Sequence, residues 1–591
     1  MNKTIKKNKP PVSGIWGILW LRARRLASGV WGIFRLQTRR LDLRTYHIIR
    51  EKLWLGALIF IAVFIAIIHL KGSLQGDEAI YGQLVKETLH QKNFFTLIWR
   101  ENTWFEKPPL YFWLLMGSVK LFGLNEISMW IVTCIFGIIS VIYTFLFTKL
   151  ITKNNFLSFF SGMILATIPF FVKNTRAIMT DVPLTCLMLI SLYYGFKAFQ
   201  TKNKKNLILF WIFLGLSLLI KNFVGLFSLF ILILFLFSRK KIKLLFSRQS
   251  FIGFIAFLFI VLPWHIYMAV NYKLEFINQY LGMHILERMN YSIIDSPFDK
   301  IPFSYIYIMF THVGVWFIVF CALIIYYIFR FKKLKKTILQ YKNALIFLLI
   351  WFFLILIAFW FATTKLPHYI LPIIPAMAIL IAIFFQIIIK NSPKDLIIFS
   401  SLTLLNLTPY FYLNVSDFGE SNILILVALI KIFNLEYNEL YYFLVLVLIV
   451  HIIILIKLKP KFTYYHLILM LLITFLIPSQ PLRGEEEKQL ALDISSKIKK
   501  GPVNVYSDNK NFHVNTILFY LPTGSDAEEF EQGEIKIKTK ANSKNNNSFC
   551  LFKENKNQSK SIYTINNHNL AYCKPLINLE PERKKCNFCL E

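Results

Sequence analysis

The amino-acid sequence predicts a polytopic α-helical membrane protein that ends in a small α/β domain outside the membrane. Three observations carry this: the composition, the spacing of the apolar runs, and the placing of basic residues between them. Of 591 residues, 56% are hydrophobic and 17% aromatic, with 58 phenylalanines, more apolar side chain than one soluble core would bury. A net charge of +34 would point to nucleic acid in a soluble chain. Here the lysines and arginines sit in short clusters between apolar runs, the pattern that sets membrane orientation, so membrane lipids and no nucleic acid are the expected surroundings.

Residues 1–52 are expected to form a basic cytoplasmic segment. SGIWGI at 13–18 and SGVWGI at 28–33, each followed by Arg-Arg-Leu, make an approximate duplication whose Trp, Leu and Arg suit an amphipathic helix on an anionic leaflet. The first long apolar run, 53–70, would be about 27 Å long as a helix and reads as an anchor, since no small-residue cleavage site follows it. The basic clusters TKNKK (201–205), SRKKIK (238–243), RFKKLKK (330–336), KNSPK (390–394) and KLKPK (457–461) belong with the N-terminal segment on the inside.

Counting apolar runs between those clusters gives thirteen spans: 53–70, 127–149, 156–172, 182–200, 207–220, 223–237, 250–267, 304–329, 344–362, 369–389, 396–413, 438–456 and 465–478. The shorter run at 422–433 reads as interfacial or re-entrant, because counting it would put KLKPK outside. Residues 53–478 are thus the transmembrane domain, and odd parity puts 479–591 outside. Of the eighteen Asp and Glu before residue 479, only Asp42, Glu51 and Asp395 fall inside, so ionic chemistry is concentrated on the outer face. A transporter would instead carry its ionisable residues at mid-span and show repeated halves.

The outer C-terminal part, 479–591, is polar. A helical pattern at 485–500, the strand-like GPVNVYS at 501–507 and a helix around 512–521 predict an α/β domain. Four of the seven cysteines, Cys550, Cys573, Cys586 and Cys589, lie there, and in an oxidising compartment they predict at least one disulfide.

Two outer segments crowd polar groups at membrane depth. The 71–126 loop holds Asp77, Glu78, Tyr81, Glu106, Lys107, Pro108 and Pro109; its prolines forbid a helix through themselves but start one well, so LYFWLLMGSVKLFG reads as a helix along the interface. NTRAIMTDVPL at 174–184 brings Asn174, Arg176, Thr180 and Asp181 together. A structural reading has Asp181 at the positive end of the next helix, paired with Arg176. His265 and His368, beside aromatic runs, are expected to be interfacial hydrogen-bonding groups.

GDEAIY, FEKPPLYFW, NTRAIMTDVPL, a lysine after the fifth span, PWHIYM at 263–268 and KLPHYILPIIPAMAIL at 365–380 resemble, in order over about residues 50–390, the 4-amino-4-deoxy-L-arabinose transferases, relatives of the protein O-mannosyltransferases. The resemblance implies a GT-C glycosyltransferase of the bacterial inner membrane, N-terminus cytoplasmic and C-terminus periplasmic. It implies transfer of a sugar from a polyprenyl phosphate carrier to an envelope acceptor such as lipid A, or to protein or polysaccharide, on the outer side of the membrane, with 71–126 as the catalytic outer loop. It further implies Asp77 as acceptor-side carboxylate, Lys107 and Tyr369 on the carrier phosphate, and Asp181 with Tyr81 shaping the polar site, Glu78 standing beside them; Arg176 would add a phosphate contact by its charge. Two departures stand out: Ile80 replaces a commonly basic residue, and Lys221-Asn222 replaces Lys-Gly, where Asn tolerates a left-handed backbone. Glu106, His284 and His513 share the outer side, and oxygen with imidazole would suit zinc.

Overall fold

A computed structural model of the chain describes residues 43–67, 74, 76–91, 93–100, 102–280, 282, 298–299, 301, 303–391, 503–507, 519, 526–529, 534–539, 548–552, 563–564 and 574–575. The chain forms two compact units, 1–57 and 58–591. Of the first, only the opening turns of helix α1 (Leu43–Ile67) are described; everything below concerns the second. The N-terminal duplication, the expected spans at 396–413, 438–456 and 465–478, the run at 422–433 and the helix at 485–500 lie outside the described residues.

Helix α2 (Asp77–Gln91) leads through a two-residue hairpin, β1 (Ile98–Trp99) and β2 (Asn102–Thr103), to α3 (Leu110–Phe122). As the prolines predict, α3 begins directly after Pro109. Next come α4 (Glu126–Thr152), α5 (Asn155–Thr167), α6 (Pro169–Thr175), α7 (Asp181–Thr201), α8 (Asn206–Leu218) and α9 (Phe227–Ser238). Helices α10 (Arg248–Phe276), α11 (Ser304–Ile308), α12 (Val315–Gln340), α13 (Lys342–Trp360) and α14 (Ile374–Asn391) complete the bundle, α14 continuing a 3₁₀ turn over Pro367–Ile373.

Among the described residues five helices are long and apolar enough to cross a membrane, and seven if each of two bent pairs is one span; this is a multi-pass helical membrane protein. The expected span at 156–172 is one of the bent pairs: α5 and α6 meet at 69°, because Pro169 opens α6 and has no N–H to continue α5. The expected span at 304–329 is bent at Gly314, whose φ is +64°. Helix α8, at 13 residues, rises only about 20 Å, less than the hydrocarbon thickness.

Helices in lipid gain no hydrophobic drive from meeting one another, so close packing and internal hydrogen bonds hold them. Helix α14 is the axis: its side chains from Ile374 to Ile388 are all buried. Trp351 of α13 donates to Pro372 O at 2.9 Å and Tyr327 of α12 to Phe384 O at 2.8 Å. Phe147, Phe196, Phe235 and Trp351 join Phe347 in an aromatic cluster linking α4, α7, α9 and α13.

In the C-terminal part, β3 (Val503–Ser507), β4 (Asp526–Glu529), β5 (Glu534–Thr539) and β6 (Ser548–Phe552) form a sheet in the order β4-β3-β5-β6. β3 runs parallel to β4 and antiparallel to β5, and it coincides with the expected strand. Short β7 (Tyr563–Thr564) and β8 (Lys574–Pro575) pair with each other. Cys550 falls in β6, while Cys573, Cys586 and Cys589 lie outside the described residues.

From this part Phe519, 3% exposed, packs on α2, where Lys86 donates to its carbonyl at 3.2 Å. Burial lowers the Lys86 ammonium to about 8, against a smaller upward pull from Glu87. The unfolded chain then binds more protons between that value and the ordinary lysine value of 10.5, so stability rises with pH across this window and the cost of charging Lys86 is complete below it. Thermal midpoints measured from pH 7 to 10 should climb more steeply in the wild type than in Lys86→Met.

Candidate active site

The carboxylates of the first loop stand at a helix start. Gly76, with φ +54°, turns the chain into α2 and accepts from Ile80 N at 3.2 Å, which puts Asp77 and Glu78 in the first turn, at the positive end of the helix dipole. Their faces differ. Asp77 is solvent-exposed, whereas a Glu78 oxygen accepts from Ile178 N at 2.9 Å, fastening α2 to the 174–184 segment.

One turn on from Asp77, Tyr81 is buried and meets Trp104 and Phe112 edge to face. Lys107 lies over the Tyr81 ring at 5.0 Å and the Trp104 ring at 5.7 Å and pairs with Glu106 at 2.9 Å; cation–π attraction and the ion pair together hold an ammonium that is 12% exposed. Burial opposes its charge, but the Tyr81 oxygen and the carboxylates of Glu106 and Asp77 outweigh burial and push the Lys107 pKa above the ordinary lysine value. Burial likewise raises the Tyr81 phenol above its usual range. At neutral pH the pair is ammonium and neutral phenol.

Asp181 opens α7 and is buried. Its partner is Lys221, at 2.6 Å, and not Arg176, which donates to Ile65 O at 2.5 Å. Arg176, the C-cap of α6, lies five residues from Asp181 in sequence but reaches back to α1. Lys221 also lies over the Tyr369 ring at 5.2 Å. Asn222 takes the left-handed backbone expected of it, φ +37°, and its side chain donates to Glu106 O at 3.3 Å while Leu110 N donates to Leu219 O at 3.1 Å. These two bonds lock the Glu106-Lys107 pair to the Lys221 turn.

The structure therefore brings Asp77, Tyr81, Glu106, Lys107, Asp181 and Tyr369 to one end of the bundle and sends Glu78 and Arg176 to backbone partners. His368 stands within electrostatic reach of Asp181, Lys221, Asp77 and Lys107, closer to this chemistry than its aromatic sequence context predicts. His265 is a hydrogen-bonding group, touching Val261 O and the Tyr280 hydroxyl. Sequence reasoning missed Lys221 as the Asp181 partner and Asp299, which accepts from Lys365 N at 2.6 Å and so anchors the turn leading to His368 and Tyr369. The sequence signals for Lys221 are its place after the fifth span, which the resemblance picks out, and a charge between two short apolar runs; neither names its partner.

For zinc, the donor set does not assemble in what is described. Glu106 is engaged by Lys107, His284 and His513 lie outside the described residues, and among the described residues no three His, Cys, Asp or Glu side chains converge.

Fold and site together define a multi-pass helical membrane protein with a charged site buried at one end of its bundle. Residues 106–267 match the family model described as dolichyl-phosphate-mannose-protein mannosyltransferase. The chain is 25% identical over 311 residues to an uncharacterized protein of Aquifex aeolicus, covering 52% of this chain and 58% of that one. It is 26% identical over 313 residues to the undecaprenyl phosphate-alpha-4-amino-4-deoxy-L-arabinose arabinosyl transferase of Wigglesworthia glossinidia brevipalpis, covering 52% and 54%. The chain thus spans little more than half the length of the curated relatives it matches. Among solved structures, ArnT from Cupriavidus metallidurans bound to undecaprenyl phosphate superposes with a TM-score of 0.59 at 17% identity, covering 82% of this chain and 86% of ArnT. The resemblance carried by the motifs holds: the chain is similar to the aminoarabinose transferases and to the protein mannosyltransferase family, and its fold is GT-C.

Proposed function

We propose that the chain is a glycosyltransferase that moves a sugar from a polyprenyl phosphate carrier to an envelope acceptor, lipid A in the first instance, on the periplasmic face of the inner membrane. The N-terminal segment would be cytoplasmic, the bundle would cross thirteen times, and 479–591 would form a periplasmic α/β domain. The observation that carries the reading is an exposed Asp77 at the start of α2 within the field of the half-buried Lys107 ammonium, with the Lys221-Asp181 ion pair at the same end of the bundle.

A sugar phosphate already has a leaving group, so catalysis needs positive charge where the phosphate departs and a carboxylate beside the acceptor. In this reading an acceptor oxygen attacks the anomeric carbon. The bond from that carbon to the phosphate oxygen breaks, and its electron pair leaves with the carrier phosphate toward Lys107, with Tyr369 alongside. Asp77 orients an acceptor that is already ionised, such as a lipid phosphate, or takes the proton of a hydroxyl. Asp181 and Tyr81 shape the polar floor, Lys221 neutralises Asp181, and Glu78 and Arg176 act through the backbone they hold.

Lys107→Met should weaken product inhibition by undecaprenyl phosphate about 10- to 100-fold, the worth of a charge-assisted hydrogen bond to a phosphate; an unchanged inhibition constant removes Lys107 from the carrier site. The reading as a whole is tested by mass spectrometry of lipid A from a transferase-deficient strain with and without this chain. An adduct of one sugar is expected. Since the family match includes protein mannosyltransferases, sugar found on protein or polysaccharide instead would reassign the acceptor, and no transfer to any fraction would overturn the function.

A further inference from the structure

Helix α2 has two working faces. Asp77 and Tyr81, four residues apart, share the face turned to Lys107, and Glu78, Gly82 and Lys86, at the same spacing, share the adjoining one. Every residue of this second face is engaged: Glu78 accepts from Ile178 N, and Gly82 and Lys86 receive Phe519, from 433 residues along the chain. A methyl group at Gly82 would sit 2.7 Å from Phe519 Cδ2 and 2.9 Å from Leu74 Cδ1, well inside van der Waals contact. The glycine is costly in mid-helix, by about 1 kcal/mol against alanine, and the ring fills the space it leaves.

We infer that Phe519 is a positioning residue: the C-terminal part seats its ring in the notch at Gly82 and thereby fixes the rotation of α2 and the place of Asp77. This rests on the reading of Asp77 as the acceptor-side carboxylate. Rotation matters because a helix turned by one residue swings its side chains by about 100°, and catalytic geometry tolerates only a fraction of an ångström.

The contact and its consequence have separate tests, both on the full-length protein. A Gly82→Cys/Phe519→Cys pair, oxidised in membranes and then cut at a protease site introduced between the two positions, should keep the two fragments linked, and neither single cysteine should do so. Absence of the link overturns the seating whether or not the chain transfers sugar. With undecaprenyl phosphate-aminoarabinose as donor, Phe519→Ala should lower kcat roughly tenfold at unchanged KM for the donor, and Phe519→Leu should recover most of it. Gly82→Ala should lower kcat in the wild type and lower it less in the Phe519→Ala background, where the ring contact is gone and only Leu74 Cδ1 stays close. Equal loss from Gly82→Ala in both backgrounds, or wild-type turnover in Phe519→Ala, overturns the positioning role. A wild type without transfer but with the cross-link would count against the transferase reading alone.

Discussion

Asp77→Asn should abolish sugar transfer, by 10²- to 10⁴-fold if the carboxylate acts as a base, without lowering the amount of protein inserted in the membrane. The substitution keeps the size of the side chain and removes its charge at an exposed position, where no packing depends on it. Insertion is therefore insulated from the change. The measurement is transfer rate normalised to membrane-extracted protein, and wild-type turnover would take Asp77 out of the reaction. A loss confined to hydroxyl acceptors, with phosphate acceptors still served, would separate proton removal from mere orientation.

Lys221→Met should be the most destabilising single change in the site. Asp181 is 3% exposed and Lys221 14%, so removing the ammonium leaves a carboxylate buried without its close partner, a situation that costs about 3–5 kcal/mol. Lys107, which also acts on Asp181, offsets part of that. The double variant Asp181→Asn/Lys221→Met should melt above the Lys221→Met single variant, because the uncompensated charge is gone. Thermal unfolding in detergent distinguishes the outcomes; additive losses would mean the two groups are not coupled.

How far these features are legible in the sequence depends on the range of the interaction. The start of α3 after Pro108-Pro109, the left-handed Asn222 and the start of α7 at Asp181 are set by residues within a turn of the feature, and each reads directly. The partner of Asp181 does not. Arg176, five residues away, is the local choice, and the true partner lies forty residues on, brought near only when α7 and α8 pack. The bend between α5 and α6 was open to reading, since Pro169 is visible, but an apolar run through 156–172 masks the break. The bend at Gly314 has no comparable marker, because a glycine in an apolar run is equally at home in a straight helix. Asp299 illustrates the same limit from the polar side: its role is to hold the backbone of Lys365, and backbone partners leave no trace in residue types.

The nearness of Trp104 to Lys107, 5.7 Å from ring to ammonium, gives the protein an optical reporter of its own. An indole's emission responds to the charge beside it, and an anion that engages the ammonium changes the field across the ring. The difference in fluorescence between the wild type and Trp104→Phe, followed as undecaprenyl phosphate is added, would therefore report occupancy at Lys107 directly, with no label attached and no turnover required.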